Sequence, residues 1–226
     1  MAYAVKAMPR PRSLTHGQIA AAALAVIDRS GLAALSMRTV AAELGMGTMS
    51  LYRYVTDREQ LERLVVDLVL CTVDLTPVND APWPEQVTLV VDRIRAAVSA
   101  HPAVVPLFLT HRHTSTSVMR CGEVLLRVLT EAGFTGADRV IAFRTLLSYL
   151  VGALTTEHLG PLSGPGTAVL AQLPRADYPH LAETAGIARG ISADDEFHGG
   201  LATILSGLRR DRGHVEQQAR PDGGGA

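Results

Sequence analysis

Apolar residues recur three and four positions apart along most of the chain, which is the spacing of an α-helix that buries one face. In the first such segment, Ile19, Ala23, Val26 and Ile27 would lie on the buried face. Alternating apolar and polar runs bounded by hairpin turns, which predict strands, do not stand out. The pattern therefore predicts an all-α protein.

Capping residues predict where the first two helices begin and end. Thr15 with Gln18 three residues later is a capping box, and Gly31 is a stop signal for the same helix. Ser36 is the next N-cap, and its short helix would end at Gly45, because glycine adopts a left-handed backbone without strain.

A third helix is predicted from Gly47 or Thr48 to Tyr54, and Asp57 would cap a longer fourth helix. The proline-rich residues 77–84 predict the end of that fourth helix. Further helices are predicted at 84–100, 102–109, 115–132, 137–158 and 194–210.

Residues 160–192 differ from the helical segments around them. Glycine and proline interrupt short apolar pieces throughout this region, so we predict a long, partly ordered connection. The chain ends in a run of polar residues and glycine, and we predict a disordered tail over 211–226.

The distribution of charge differs between the two ends of the chain. The whole chain carries a formal charge of only −1, which excludes a protein that binds nucleic acid by bulk positive charge. Residues 1–58, however, hold seven basic and three acidic residues, a formal +4, which leaves −5 for the remainder. A basic head on an acidic body predicts that a polyanion binds at the N-terminal end.

The sequence also predicts a cytoplasmic location. The apolar stretch 64–75 is broken by Asp67 and Asp74, which predicts no membrane span, and no apolar region of a secretory signal follows the basic N-terminus. Cys71 and Cys121 stand alone in apolar segments and are predicted to be buried, reduced thiols.

The predicted second and third helices are joined by the tight turn 44–47, which gives them the dimensions of a helix-turn-helix. The second helix of this motif enters the major groove of DNA with its N-terminal residues foremost. By the helix period, Leu51 and Val55 would face the core. The candidates for DNA contact on this helix are Thr48, Met49, Ser50, Tyr52, Arg53 and Tyr54.

Three runs in this region resemble the N-terminal domain of TetR-family transcriptional repressors. They are LSMRTVAAELG at 35–45, SLYRYV at 50–55 and DREQL at 57–61. The resemblance covers about residues 14–62. It implies a three-helix DNA-binding domain with a helix-turn-helix.

The resemblance implies roles for particular residues in DNA binding. Arg38 would contact a base edge or a phosphate, the Tyr52 hydroxyl would hold a phosphate, and Arg58 would clamp a phosphate at the start of the fourth helix. The full set of predicted DNA contacts is Arg38, Thr39, Thr48, Met49, Ser50, Tyr52, Arg53, Tyr54 and Arg58.

Structural roles remain open for the same side chains. Tyr52 and Tyr54 would alternatively pack between helices, and Arg58 would alternatively pair with Glu62 at i,i+4. Residues 1–13 are predicted to be a flexible arm, whose Arg10 and Arg12 would reach a minor groove or stay solvated.

The rest of the chain resembles the branch of the family that contains the tetracycline repressors. The resemblance rests on WPE at 83–85, on residues 95–102, on GExLLxxL at 122–129 followed by AGF at 132–134, and on Tyr149 with Gly152. It implies a helical ligand-binding and dimerisation domain over 63–210.

Several side chains of this second domain are predicted to line a ligand pocket, although ordinary core packing is the alternative for the aliphatic ones. The predicted pocket residues are Leu107, Phe108, His111, Met119, Phe143, Arg144, Leu147, Tyr149 and Glu157. The histidine through which tetracycline-type repressors bind magnesium would fall near Leu107 or Phe108, so we expect a largely apolar effector, no metal and no cofactor.

The resulting hypothesis is a ligand-responsive repressor that binds double-stranded operator DNA as a homodimer and is released by a small molecule. Helices at 137–158 and 194–210 are the candidates for the dimer interface. The chain offers no catalytic constellation, so no enzyme is predicted. The alternatives are an all-α carrier or enzyme whose basic head binds an anionic partner, and a DNA-binding member that activates or ignores ligand.

Overall fold

A computed structural model describes residues 14–76 and 80–218, with side chains described up to Arg209. Over these residues the fold consists of helices and no strands, which confirms the all-α prediction. The helices are α1 (His16–Ser30), α2 (Met37–Glu43), α3 (Thr48–Leu51), α4 (Arg58–Leu70), α5 (Trp83–Ser99), α6 (Val105–Thr110), α7 (Thr116–Glu131), α8 (Gly136–Leu159), α9 (Pro165–Leu170), α10 (Pro179–Ala188) and α11 (Ala193–Gln218). Single 3-10 turns precede α2 and α6, at Leu32–Ala34 and Pro102–Val104.

The predicted caps of the N-terminal helices are confirmed. Thr15 and Gln18 form both hydrogen bonds of the capping box at the start of α1. The Asp57 carboxylate accepts the backbone N–H of Gln60 at 2.8 Å at the start of α4, and this bond is the largest cause of a lowered pKa for Asp57. Gly45 has φ +66°, which lets the chain turn between α2 and α3.

Helices α1, α2 and α3, with the start of α4, form the reading head. Leu51 and Val55 are buried in its core, as the helix period predicts, and α1 packs along α4. Tyr54 lies half-buried against the same core. The burial of these side chains anchors α3 and the turn after it to the core of the head. The outer side of α3 remains exposed.

The body is a helical bundle in which α4, α5, α7 and α8 pack against one another and α11 packs on α8. Trp83 and Phe134 meet edge to face, with ring centroids 5.3 Å apart, and join the start of α5 to the α7–α8 turn. One continuous core of buried side chains extends from Ile19 in α1 to Leu205 in α11. Helix α4 belongs to both parts, so the reading head is not an independent unit.

Two helices are shorter than the sequence predicts. Helix α3 ends at Leu51 and continues as a turn, because the chain must bend again before the Asp57 cap. Helix α4 ends at Leu70 rather than just before the proline-rich segment. The residues beyond it are held outside the helix by Arg93, which donates to the backbone carbonyls of Asp74 and Thr76.

The prediction of a partly ordered connection over residues 160–192 is wrong. This region contains α9 and α10, which pack against each other and bury Ala182 and Ala185. Proline starts both helices, where its fixed φ is compatible with a first turn, so it does not signal a loop here.

The prediction of a disordered tail from residue 211 is wrong for its first part, because α11 continues to Gln218 through the single glycine Gly213. The rest of that tail, residues 219–226, lies outside the described residues, as do the predicted arm at 1–13 and residues 77–79.

Helix α8 has the length and composition of a membrane-crossing helix, which the sequence analysis did not predict. Its 24 residues include an 18-residue window of mean hydropathy 1.2, of which 22% is buried. In the fold α8 packs against α5, α7 and α11, which is the position of a helix in a bundle. Val140 and Ile141 remain 59% and 60% exposed near its N-terminal end.

Candidate DNA interface and ligand cavity

The short helix α3 presents its side chains outward from the tip of the reading head. Met49 is 78% exposed and Tyr52 is 47% exposed, although both are large and apolar in part. Ser50 and Arg53 are exposed beside them, and Thr48 is half-buried at the start of the helix. The predicted contact helix therefore forms a convex surface with both apolar and hydrogen-bonding groups.

Thr39 and Tyr54, two of the predicted DNA contacts on α2 and after α3, are held by other residues of the head. The Thr39 hydroxyl donates to the backbone carbonyl of Ala34 at 2.8 Å and completes a capping box with Ser36. Tyr54 is half-buried, and its backbone carbonyl lies 3.1 Å from Nε2 of His16. These contacts fix the position of α2 and α3 relative to α1.

The three arginines of the predicted interface differ in how they are held. Arg38 and Arg53 are exposed, and neither side chain makes a hydrogen bond or ion pair with the residues that the structure describes. Arg58 donates from Nε to Glu62 at 2.8 Å, as the alternative for this residue predicts, and also contacts the carbonyl of Leu32 at 3.3 Å.

Helix α4 carries two carboxylates that join the head to the body. The second carboxylate oxygen of Glu62 lies 3.1 Å from Nε2 of His111, whose side chain is only 1% exposed. One turn further along, Asp67 accepts the hydroxyl of Ser115 at 2.6 Å and the backbone N–H of Ser117 at 3.0 Å. Neither link was predicted from the sequence, because the partners lie 49 and 48 residues away along the chain.

A cavity of about 430 Å³ lies in the body between α4, α5, α6, α7 and α8. Its walls are mainly aliphatic and aromatic, and the lining consists of Leu70, Ile94, Phe108, Leu109, Arg112, Val118, Met119, Cys121, Gly122, Glu123, Leu125, Leu126, Phe143, Arg144, Leu147, Leu150, Val151 and Leu154. Burial raises the pKa of the Cys121 thiol to about 11, so this side chain is neutral at physiological pH. The prediction that both cysteines are buried is confirmed for Cys121 and wrong for Cys71, which is exposed.

Charged groups occur only at the rim among these lining residues. Arg112, Glu123 and Arg144 are all exposed, whereas Ile94, Leu125 and other wall residues are buried. The cavity therefore has an apolar interior and an edge at which two positive charges and one negative charge meet solvent. This arrangement fits a ligand with an apolar body and a polar end.

Five of the nine predicted pocket residues line this cavity, namely Phe108, Met119, Phe143, Arg144 and Leu147. Four lie elsewhere. Leu107 is buried in the core on another face of α6, and His111 turns away toward Glu62. The Tyr149 hydroxyl donates to the backbone carbonyl of Phe197, and Glu157 pairs with Arg95.

The Tyr149 contact explains a glycine in α11. A Cβ at Gly200 would lie 2.8 to 2.9 Å from ring carbons of Tyr149 and closer still to its hydroxyl, so this ring fits only because residue 200 has no side chain. Tyr149 thus fixes the approach of α8 and α11 rather than facing the ligand cavity.

A cluster of one arginine and two carboxylates near the same helices was also not predicted from the sequence. Arg95 is 9% exposed and bonds to Glu157 at 3.1 Å and to Asp194 at 2.7 Å. Burial acts to lower the pKa of Arg95, but the bonds to the two carboxylates outweigh it and leave this pKa raised. The cluster joins α5, α8 and the start of α11. Because its charges are satisfied within the protein, it is a structural joint.

No group of three or more metal-ligating side chains occurs within the described residues. His111 instead serves the contact with Glu62.

Comparisons with known proteins agree with this arrangement. Residues 19–63 match the family described as "Bacterial regulatory proteins, tetR family", and residues 76–212 match "Tetracyclin repressor-like, C-terminal domain". The HTH-type transcriptional repressor DrrR1 of Streptomyces coeruleorubidus is 31% identical over 213 residues, which cover 88% of this chain and 78% of that protein.

Solved structures with a similar fold include apo ActR of Streptomyces coelicolor, at a TM-score of 0.76 and 28% identity over 91% of this chain and 99% of ActR. ActR has also been solved in complex with actinorhodin, and that structure has a TM-score of 0.73 and 27% identity over 88% of this chain and 98% of ActR.

Proposed function

The chain belongs to the TetR family of bacterial transcriptional regulators, and from this premise we propose that it represses transcription by binding operator DNA until a small molecule enters its cavity. Family membership makes it a regulator; we infer further that it has no catalytic role and acts in the cytoplasm on DNA. The observation that carries the proposal is that one helix, α4, begins at the exposed reading head with Arg58 and lines the cavity at its other end with Leu70.

The DNA-binding half of the proposal assigns a task to each exposed side chain of the head. Thr48, Met49 and Ser50 face base edges at the start of α3, with Arg38 beside them. Tyr52, Arg53 and Arg58 hold phosphates, which gives affinity and register but little sequence information. Thr39 and Tyr54 support this surface from behind.

The proposal requires a homodimer. Helix α3 is four residues long, and one helix of this size reads too few base pairs for useful specificity. A twofold axis places two such helices about 34 Å apart on successive major-groove faces. We place the interface on α8 and α11, because Val140 and Ile141 are exposed on α8 and a Cβ at Gly207 of α11 would meet no neighbour within the protomer.

The effector is proposed to be a small amphipathic molecule. Its apolar part fits the aliphatic interior of the cavity, and its polar end meets Arg112, Glu123 and Arg144 at the rim. The relative ActR, which binds actinorhodin in a solved complex, supports a small-molecule role for this domain. By the same reasoning DrrR1, a named repressor, supports repression as the output.

The test is a fluorescence-anisotropy titration of the full-length protein with labelled DNA from upstream of its own coding region, against scrambled DNA at the same salt. Light scattering on the same sample reports the oligomeric state. Tighter binding to the upstream DNA by a dimer is expected. Equal binding to both DNAs by a monomer would instead favour the carrier or enzyme alternative.

The effector half is tested with the neutral dye N-phenyl-1-naphthylamine as the cavity probe. Leu147→Trp places a large ring into the cavity wall and should abolish dye fluorescence while leaving DNA binding intact. The matched control is Leu170→Trp on α9, which is 39% exposed and outside the cavity. Compounds that displace the dye are then screened for release of DNA. Displacement without any release would contradict ligand-responsive repression.

A further inference from the structure

Glu62 is shared between the reading head and the body. One oxygen of its carboxylate accepts Nε of Arg58 at 2.8 Å, and the other lies 3.1 Å from Nε2 of His111. The Glu62 side chain is only 14% exposed, and each of its two oxygens has a protein partner. Because a carboxylate can only accept, His111 donates its proton to this bond.

Arg58, at one end of this chain of contacts, is the residue that both DNA and Glu62 would use. It is 48% exposed at the start of α4, where the proposed phosphate contact lies. A guanidinium held by a carboxylate has fewer donors and less net charge to offer a phosphate. DNA and Glu62 therefore compete for Arg58.

His111, at the other end, lies beside the ligand cavity. It follows directly after α6, where Phe108 and Leu109 line the cavity, and it precedes Arg112 at the rim. Its ring is 1% exposed, and its other nitrogen lies 3.4 Å from the hydroxyl of Thr114. A ligand that displaces the end of α6 must therefore displace the hydrogen bond to Glu62 as well.

Resting on the proposed function, we propose that Glu62 competes with a DNA phosphate for Arg58. We propose further that the hydrogen bond from His111, which depends on whether the cavity holds a ligand, controls how strongly Glu62 binds Arg58. When His111 donates to the carboxylate, Glu62 holds Arg58 less tightly and DNA binding is favoured. When His111 moves away, Arg58 is the remaining partner of the Glu62 carboxylate and pairs with it more strongly. The contact between Arg58 and the DNA phosphate is then lost. Glu62 and His111 are positioning residues in this scheme.

The first arm of the test removes the charge of Glu62 and measures DNA affinity without any effector. Glu62→Gln should tighten binding to operator and scrambled DNA alike, by at least about threefold, because Arg58 no longer divides its charge between Glu62 and a phosphate. Glu59→Gln is the matched control, because Glu59 is an exposed acid on the same turn of α4. In an Arg58→Ala background the gain from Glu62→Gln should vanish, whereas any gain from Glu59→Gln should persist.

The second arm changes the body end of the contact. His111→Leu should weaken DNA binding by at least about threefold, the opposite direction to Glu62→Gln, and should have no effect in the Glu62→Gln background. If His111→Leu fails to fold, His111→Gln keeps one donor and should show the same sign with a smaller effect. A merely structural role would lower affinity in both single variants and leave their effects additive.

The outcomes separate this inference from the proposed function. If the wild type does not prefer the upstream DNA, the repressor proposal fails. If it does prefer that DNA but the effects of Arg58→Ala and Glu62→Gln simply add, the repressor stands and the role of Glu62 is overturned.

Discussion

The reading head and the body present opposite kinds of surface to their partners. The head is convex: Met49 and Tyr52 are 78% and 47% exposed, and the proposed contact helix lies within a few residues of sequence. The body is concave, with a cavity of about 430 Å³ whose walls come from residues between Leu70 and Leu154. The DNA surface is therefore built from residues that are neighbours in the sequence, whereas the ligand site is built from helices that are distant in the sequence.

The largest expected effect concerns the core that supports the convex surface. Leu51 is fully buried in α3, and Leu51→Ala should lower the free energy of unfolding by about 2–5 kcal/mol, because a deleted core side chain leaves a void. Urea unfolding followed by circular dichroism measures it. Since the head and the body share one continuous core, we expect a single unfolding transition. Two separate transitions would show that the head unfolds alone. Met49→Ala, at an exposed position, is the control.

A smaller loss is expected in the wall of the cavity. Leu125 is also buried, at 4% exposure, but one side of it faces space that already exists. Leu125→Ala should therefore cost about 2 kcal/mol, at the lower end of the range for such substitutions, and enlarge the cavity. The same urea experiment compares it with Leu51→Ala. If Leu125→Ala lowers the free energy of unfolding as much as Leu51→Ala does, side chains must fill the cavity in solution.

The same contrast explains what the sequence predicts well. Thr15, Ser36 and Asp57 cap helices in the structure because a cap involves only groups within about one turn of the residue itself. The exposure of Met49 and the burial of Leu51 likewise follow from the helix period alone.

The predicted pocket residues that do not line the cavity differ because the lining depends on how distant helices pack. His111 carries the right chemistry for a ligand contact, but its ring turns inward to Glu62, which lies 49 residues away in sequence. Ile94 and Cys121 line the cavity, yet nothing in their local sequence distinguishes them from other core residues. Periodicity shows which face of a helix is buried and not whether that face meets a neighbour or a void.

Base reading by the convex surface should be weaker than core packing but specific. Arg38→Ala should reduce the preference for operator over scrambled DNA by about 1–3 kcal/mol, because a lost base contact affects only the matching sequence. Anisotropy titrations on both DNAs measure this ratio. Arg53→Ala is the comparison, since a lost phosphate contact weakens both DNAs alike. An equal loss of affinity for both DNAs in Arg38→Ala would mean that Arg38 contacts the phosphate backbone of the DNA instead.

The smallest expected effect is on the cap that begins α4, the helix shared by head and body. The pKa of Asp57 is lowered from 3.8, first by the backbone N–H of Gln60 and then by the hydroxyl of Thr56. A depressed pKa in the folded state means that the ionised cap stabilises the protein above pH 3.8, and that this contribution is lost as the pH falls through the lower folded value.

Asp57→Asn tests whether the charge of this cap stabilises the protein above its folded pKa. Asparagine is also a good N-cap, so the melting temperature at neutral pH should change little. Between pH 5 and the acid limit of folding, roughly the range in which an aspartate titrates, the variant should lose less stability than the wild type. Glu59→Gln, in the first turn of the same helix, provides the comparison for a general loss of negative charge. Parallel pH profiles for wild type and Asp57→Asn would show that the carboxylate charge contributes nothing to the start of α4.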